Sequence, residues 1–104
     1  MMVGCRSRLF SGSTTGSGDT HDSYIDCKFT REATFFLEIT AISGSLDIEI
    51  QTQNVETGTW HKLAEFTTKT GTGNDEGFIE YGLGERLAIK YSGTATFTVD
   101  VVLK

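Results

Sequence analysis

ATFFLEITAISGSLDIEIQTQ, residues 33–53, decides the fold. In its first half Phe35, Leu37, Ile39 and Ala41 share one parity, while Glu38 and Thr40 take the other. In its second half Leu46, Ile48 and Ile50 alternate with Asp47, Glu49 and Gln51. A period of two is that of a strand with one face in a core and the other in water. Ser43-Gly44 between the halves is a turn signal. The stretch therefore predicts a hairpin of strands 33–42 and 45–53 joined by a four-residue loop, Ile42–Ser45. Apolar residues must oppose apolar residues, which sets Ala41 against Leu46, Ile39 against Ile48 and Leu37 against Ile50.

The pattern continues outward. YIDCKF, 24–29, predicts a first strand, and NVETG, 54–58, a turn. TWHKLAEFT, 59–67, is a strand in which Trp60 and Phe66 fall on one parity and Leu63 on the other, so a bulge is expected. Residues 67–77 hold no apolar side chain and predict an exposed loop before a short strand, FIEY, 78–81. RLAIKY, 86–91, and TATFTVDVVLK, 94–104, predict a second hairpin. A three-residue loop Ser92-Gly93-Thr94 sets Tyr91 against Ala95, Ile89 against Phe97 and Leu87 against Val99. Helical periodicity is absent. Seven to eight short strands on Gly-rich turns indicate an all-β fold, an antiparallel β-sandwich of jelly-roll-like or Ig-like type.

Upstream the pattern stops. Residues 11–23, SGSTTGSGDTHDS, contain nothing apolar and predict a mobile segment. The expected organisation is a flexible N-terminal arm over 1–23 and a β-sandwich domain over 24–104. Val3, Leu9 and Phe10 lie ahead of the polar stretch, where they either fray or dock on a neighbouring subunit. At 104 residues the chain holds one domain, large enough to fold without disulfides or metals.

The net charge of −5, with nine scattered Lys and Arg, argues against nucleic acid as a partner. Nothing approaches the ~20 apolar residues of a membrane helix, and the first residues lack a signal-peptide apolar core. Synthesis in a host cytoplasm and no membrane partner are the expectations. Cys5 and Cys27 do not make a disulfide framework. Proline is absent, so turns rest on Gly, Asn and Ser, and edge strands need charge or a partner for protection.

No set of residues assembles into a catalytic constellation, and an enzyme is not expected. His21 and His61 have no metal-ligand spacing, even with Asp19 and Asp22. Cys27 shares parity with Phe29 and should pack inward as an inert thiol, which removes a Cys27–His61 pair. Asp47 and Glu49 read as a wet strand face. Asn74, Asp75 and Glu76 lack the ligand order of an EF-hand and read as a polar loop. The glycines form no phosphate cradle, and no cofactor or metal is expected. Trp60 is expected in the core, with a binding aromatic as the alternative. Tyr24, Tyr81 and Tyr91 do not combine with it into a stacking platform. The candidate binding or assembly residues are Val3, Leu9, Phe10, Trp60 and Tyr81.

Residues 35–67 resemble a family of small β-sandwich structural proteins of tailed bacteriophages. The matching pieces are Ile39-Thr40-Ala41-Ile42-Ser43-Gly44, Leu46-Asp47-Ile48-Glu49-Ile50-Gln51, Gly58-Thr59-Trp60 and Phe66. Residues 83–103 are similar to the family's ending, except that Leu87 follows Arg86 where an aromatic is usual and Tyr91 replaces a Trp. The resemblance covers about three quarters of the chain and leaves out the arm. It implies a virion component, foremost a capsid decoration or cement protein of the head decoration/auxiliary type. Such a protein binds the outer head surface as a homo-oligomer, dimer or trimer, with the major capsid protein or other virion proteins as partners. The alternative is a carbohydrate-binding or host-recognition module on head or tail. The matched residues are structural, so no functional site transfers with them.

Overall fold

The computed structural model describes residues 5–104. Its strands are β1 (Cys5–Thr14), β2 (Ser17–Asp19), β3 (Ile25–Asp26), β4 (Glu32–Asn54), β5 (Thr59–Glu65), β6 (Gly73–Tyr81) and β7 (Arg86–Leu103). All belong to one antiparallel sheet. Its spine runs β1-β7-β4-β5, with β2 and β3 alongside β7 and β6 alongside β4. β4 and β7 pair along almost their whole length, from Ala33↔Leu103 to Thr52↔Leu87.

Both long strands bend at one level. Ser43 pairs with Thr94 and Leu46 with Gly93, so Gly44 and Ser45 are extra residues in β4. The bend turns two half-sheets towards each other. One consists of β1, β7, β4 and β6, the other of β2 and β3, β7, β4 and β5. Phe35, Leu37, Ile39, Phe97, Val99 and Val101 of the first half form one core with Leu46, Ile48, Ile50, Leu87 and Ile89 of the second. Phe66, just after β5, packs edge-on to Phe78 of β6 at 4.9 Å and closes the open side. The all-β, sandwich-like expectation holds.

The two predicted hairpins do not form. Ile39 pairs with Phe97, Ile48 with Tyr91 and Ile50 with Ile89, all between β4 and β7. Residues 33–42 and 45–53 are halves of one bent strand, as are 86–91 and 94–104. Alternation assigns faces, and a bend satisfies those faces as well as a reversal does. Gly93 marks the difference. Its φ of +144° is a conformation that L side chains rarely adopt. A Cβ there would collide with the Ser45 carbonyl oxygen and lie 3.0 Å from Leu46 Cα. The glycine lets β7 pass close beneath the β4 bulge.

The mobile-arm reading is corrected for the described residues. β1 pairs with β7 from Cys5↔Leu103 to Thr14↔Ala95, and β2 continues with Ser17↔Ser92. The ordered domain therefore takes in residues well before Tyr24, and the strand predicted over 24–29 contracts to Ile25–Asp26. The polar segment is held by its own hydroxyls. Ser11 bonds Thr98 at 3.2 Å, Ser13 bonds Thr96 at 2.7 Å and Ser17 bonds Ser92 at 3.2 Å. Cross-strand hydroxyl pairs of this kind stabilise sheets. The buried Thr14 hydroxyl donates to the Gly93 carbonyl at the bend, at 2.9 Å. Gly18 leaves room for the ring of Tyr91, its cross-strand partner, whose Cζ would lie 2.6 Å from a Cβ there.

Two further expectations concern bulges and ends. β5 is bulged at Leu63, between Ile50↔Ala64 and Gln51↔Lys62, as expected, but the bulge puts Trp60 on the outer face and Phe66 in the core instead of aligning them. β6 is longer than residues 78–81, because its first residues find partners on β4 that composition does not reveal.

Candidate interaction surfaces

A turn laid over the outer face of the second half-sheet builds the first surface. Residues Thr20–Tyr24 cross it through a 3-10 turn, His21–Ser23. Thr20 anchors the crossing: its N–H donates to the Ile89 carbonyl at 2.9 Å, and its hydroxyl accepts the Ile89 N–H at 3.0 Å. Gln51 and Ala88 pair beneath it and are both buried, although both point away from the core. The His21 ring stacks on Trp60 at 4.5 Å with planes 2° apart. Gln51 donates to Glu49 at 2.7 Å, so its Oε1 is free to accept from His21 Nε2 at 2.5 Å. Asp19 accepts the His21 backbone N–H at 3.0 Å. Tyr24 reaches Trp60 at 6.4 Å, and Arg86 lies 4.5 Å over the Tyr24 ring while donating to Gln53 at 2.9 Å.

Trp60 is therefore half-buried on an outer face, stacked rather than packed in the main core. Tyr24 does join it, contrary to expectation. Composition has no signal for this site, because its rings converge from separated segments. A double-mutant cycle between His21→Ala and Trp60→Ala should return a coupling of about 1 kcal/mol in urea unfolding, the size of an aromatic pair. Each single variant should keep its far-ultraviolet spectrum.

The outer face of the first half-sheet is apolar along β6. Phe36, Ile79 and Tyr81 are 42%, 50% and 65% exposed. Thr34 pairs with both Ile79 and Val102, and Phe36 pairs with Gly77. On the far side of this face Arg8 bonds Asp100 at 2.9 Å. Tyr81 is thus on a different half-sheet surface from Trp60, and no ring contact joins them among the described residues.

The remaining predicted residues are placed as follows. Leu9 sits in a β1 bulge between Arg8↔Asp100 and Phe10↔Val99 and is buried in the protein's own core. Phe10 packs on Phe97 at 4.7 Å and Tyr91 at 5.5 Å. Both are committed within the fold, which corrects their reading as docking residues. Val3 lies outside the described residues, as do the side chains of Cys5, Asn74, Asp75 and Glu76.

Cys27 is buried, with its Sγ 3.8 Å from the Leu83 carbonyl oxygen. Burial, with Asp26 and Glu85 nearby, pushes its thiol up to about 11. A thiol held protonated is a poor nucleophile. The unfolded chain titrates near 9.0, so the folded state binds this proton more tightly. Its contribution is complete below about pH 9 and falls as pH rises towards about 11, by roughly 2–3 kcal/mol in all. Urea midpoints across that range should decline in the wild type, and Cys27→Ala should flatten the decline. Among the described residues no three His, Cys, Asp or Glu side chains converge as a metal site would require.

No family model matches the chain, and no curated protein matches it in sequence. The solved structures do provide likenesses. The SPBc2 prophage-derived protein YomS superposes with a TM-score of 0.69 at 12% identity, over 99% of this chain and 96% of that one. PirA superposes with a TM-score of 0.51 at 13% identity, over 100% of this chain and 95% of that one. At such identities the likeness establishes the fold, shared from end to end.

Proposed function

We propose that this chain is a non-enzymatic structural protein of a tailed-phage particle, a decoration protein that binds the outer head surface as a homo-oligomer. The observation that carries the reading is the end-to-end likeness to a prophage-derived protein of nearly the same extent. Its physical character supports the reading. The chain is acidic, and its sheet halves are locked by paired strands running their full length. It carries an apolar outer face suited to protein contact. Repeated weak contacts with the major capsid protein would sum by avidity over a symmetric shell.

The test is quantitative mass spectrometry of particles purified after induction of the host that carries the gene. The expected result is a stoichiometric component on the order of hundreds of copies, as multivalent decoration requires. Absence from intact particles would overturn the proposal.

A second reading is a carbohydrate-binding or host-recognition module. The grouping of Trp60 and Tyr24 beside Gln53 and Arg86 favours it, since sugars stack on rings and bond to planar polar groups. His21 covers one face of the indole, which weighs against it. Titration with cell-surface glycans, followed at the Trp60 indole N–H by NMR, should move that resonance if this reading is correct. An unchanged resonance removes it.

A further inference from the structure

The four edges of the folded sheet are not equally protected. β1 carries a bulge at Leu9 together with Arg6 and Arg8. β5 carries its bulge at Leu63. β2 and β3 are three and two residues long. Bulges, charge and shortness are the devices that keep edges from pairing with other chains. β6 is bulged between Gly73 and Glu76 and carries Glu76 and Glu80, but its last part is straight and long. From Leu37↔Glu76 to Glu32↔Tyr81, six consecutive pairs run along β4 without a register shift. Proline is absent, and Ile79 and Tyr81 stand exposed on the outer face of this straight segment.

We infer that β6 pairs antiparallel with β6 of a second copy across a two-fold axis centred on Ile79, joining two sheets into one. The inference deepens the proposed function by naming the partner in the homo-oligomer. The register follows from faces and charge. In a continuous sheet, opposed residues share a face, so a two-fold axis must centre on a residue. Centring on Phe78 sets Glu76 opposite Glu80, and centring on Glu80 sets it opposite itself. Both oppose like charges, which destabilises a pair. Centring on Gly77 sets Ile79 opposite Asp75. Centring on Ile79 opposes no two acidic residues: Ile79 meets Ile79, Glu80 meets Phe78 and Tyr81 meets Gly77.

The last pairing repeats a device already used within the chain. Tyr91 lies over its cross-strand partner Gly18, and a methyl on Gly77 would sit 3.5 Å from the ring of its partner Phe36. An aromatic ring over a cross-strand glycine restores the packing that the missing side chain forfeits. In the dimer the slot above Gly77 would be flanked by Phe36 of its own chain and Tyr81 of the other. Phe36, Ile79 and Tyr81 would then run as one apolar ribbon across both copies. Their exposed surface is on the order of 300 Å² per copy, comparable to the largest patch of an ordinary monomer. Side chains alone thus fall short of the roughly 1,200 Å² of a standard interface, and the free backbone edge must supply the rest. A weak, reversible dimer is the consequence.

The test uses the full chain with Cys5→Ser, in which Cys27 stays buried. Sedimentation at high micromolar concentration should show a monomer–dimer equilibrium, and Ile79→Lys should return the monomer with an unchanged far-ultraviolet spectrum. Under mild oxidation Ile79→Cys should give a disulfide-linked dimer, because opposed Cα atoms lie about 4.5–5.5 Å apart. Tyr81→Cys should not, because its two copies stand about 13 Å apart along the strand. A strictly monomeric protein with no Ile79→Cys cross-link overturns the pairing. Equal cross-linking at Tyr81 overturns the register. Particle content is measured independently, so a failed pairing and a failed particle assignment are told apart.

Discussion

Gly93→Ala is expected to lower the urea midpoint severely, by about 3–5 kcal/mol of stability, through forced backbone strain combined with a steric clash. The new methyl would meet the Ser45 carbonyl and the Leu46 Cα, both main-chain atoms of the bent partner strand. Main chain cannot move aside as a side-chain tip can, so relief requires opening the β4–β7 ladder at its bend. Gly44→Ala is the control. Gly44 also has a positive φ, +78°, but an added Cβ would meet nothing within 4 Å. It should cost only about 1 kcal/mol, the ordinary penalty of a left-handed residue. If β7 were instead a hairpin reversing at Ser92–Thr94, the two substitutions would cost alike. Equal midpoints for both variants would therefore count against the bent-strand architecture.

Removal of residues 1–14 is expected to abolish cooperative unfolding. It strips β1 from β7, takes Leu9 out of the core and removes Phe10 from the rings of Phe97 and Tyr91. Burial of a Leu is worth roughly 1.5–3 kcal/mol, and Phe truncations in cores cost about 3–5. Their sum approaches the 5–15 kcal/mol that holds a typical domain together. Circular dichroism on heating should show a broad, early transition for the truncated chain. A flexible arm predicts the opposite, an unchanged transition, and limited proteolysis distinguishes the two again. With β1 paired, residues 5–14 resist cleavage as long as the sheet is intact.

Both expectations depart from what the residues alone suggest, and the departures share one origin. Residues 11–23 have no apolar side chain, and composition assigns such a segment to solvent. Its order comes from Thr96, Thr98 and Ser92, far along the chain, whose hydroxyls face Ser13, Ser11 and Ser17. The outer-face cluster is of the same kind. His21 and Tyr24 share one turn, while Trp60 and Arg86 come from two other segments, and no spacing rule links a 3-10 turn to the β5 edge. By contrast the Leu63 bulge was legible, because a parity break within one strand is a local property.

Alternation along residues 33–53 and 86–103 determined, without any structure, that this is an all-β protein and which residues face its core, except at Ala41, which a register shift at Thr40 turns outward to pair with Thr96. It did so because a strand's side chains alternate whatever its partner. Parity with Phe29 put Cys27 inward, and Cys27 is buried, but Phe29 itself is 91% exposed, so the thiol's burial owes nothing to that alternation. Whether each Ser-Gly step reverses the chain or merely bends it was decided only by the tertiary structure. Reversal and bend bury the same faces and differ only in which strand lies opposite. That choice rests on contacts between distant residues, with Gly93 beneath Ser45 and Leu46 at its centre. β6 likewise gained its straight, exposed edge only when β4 continued past Ser43 and left room beside it.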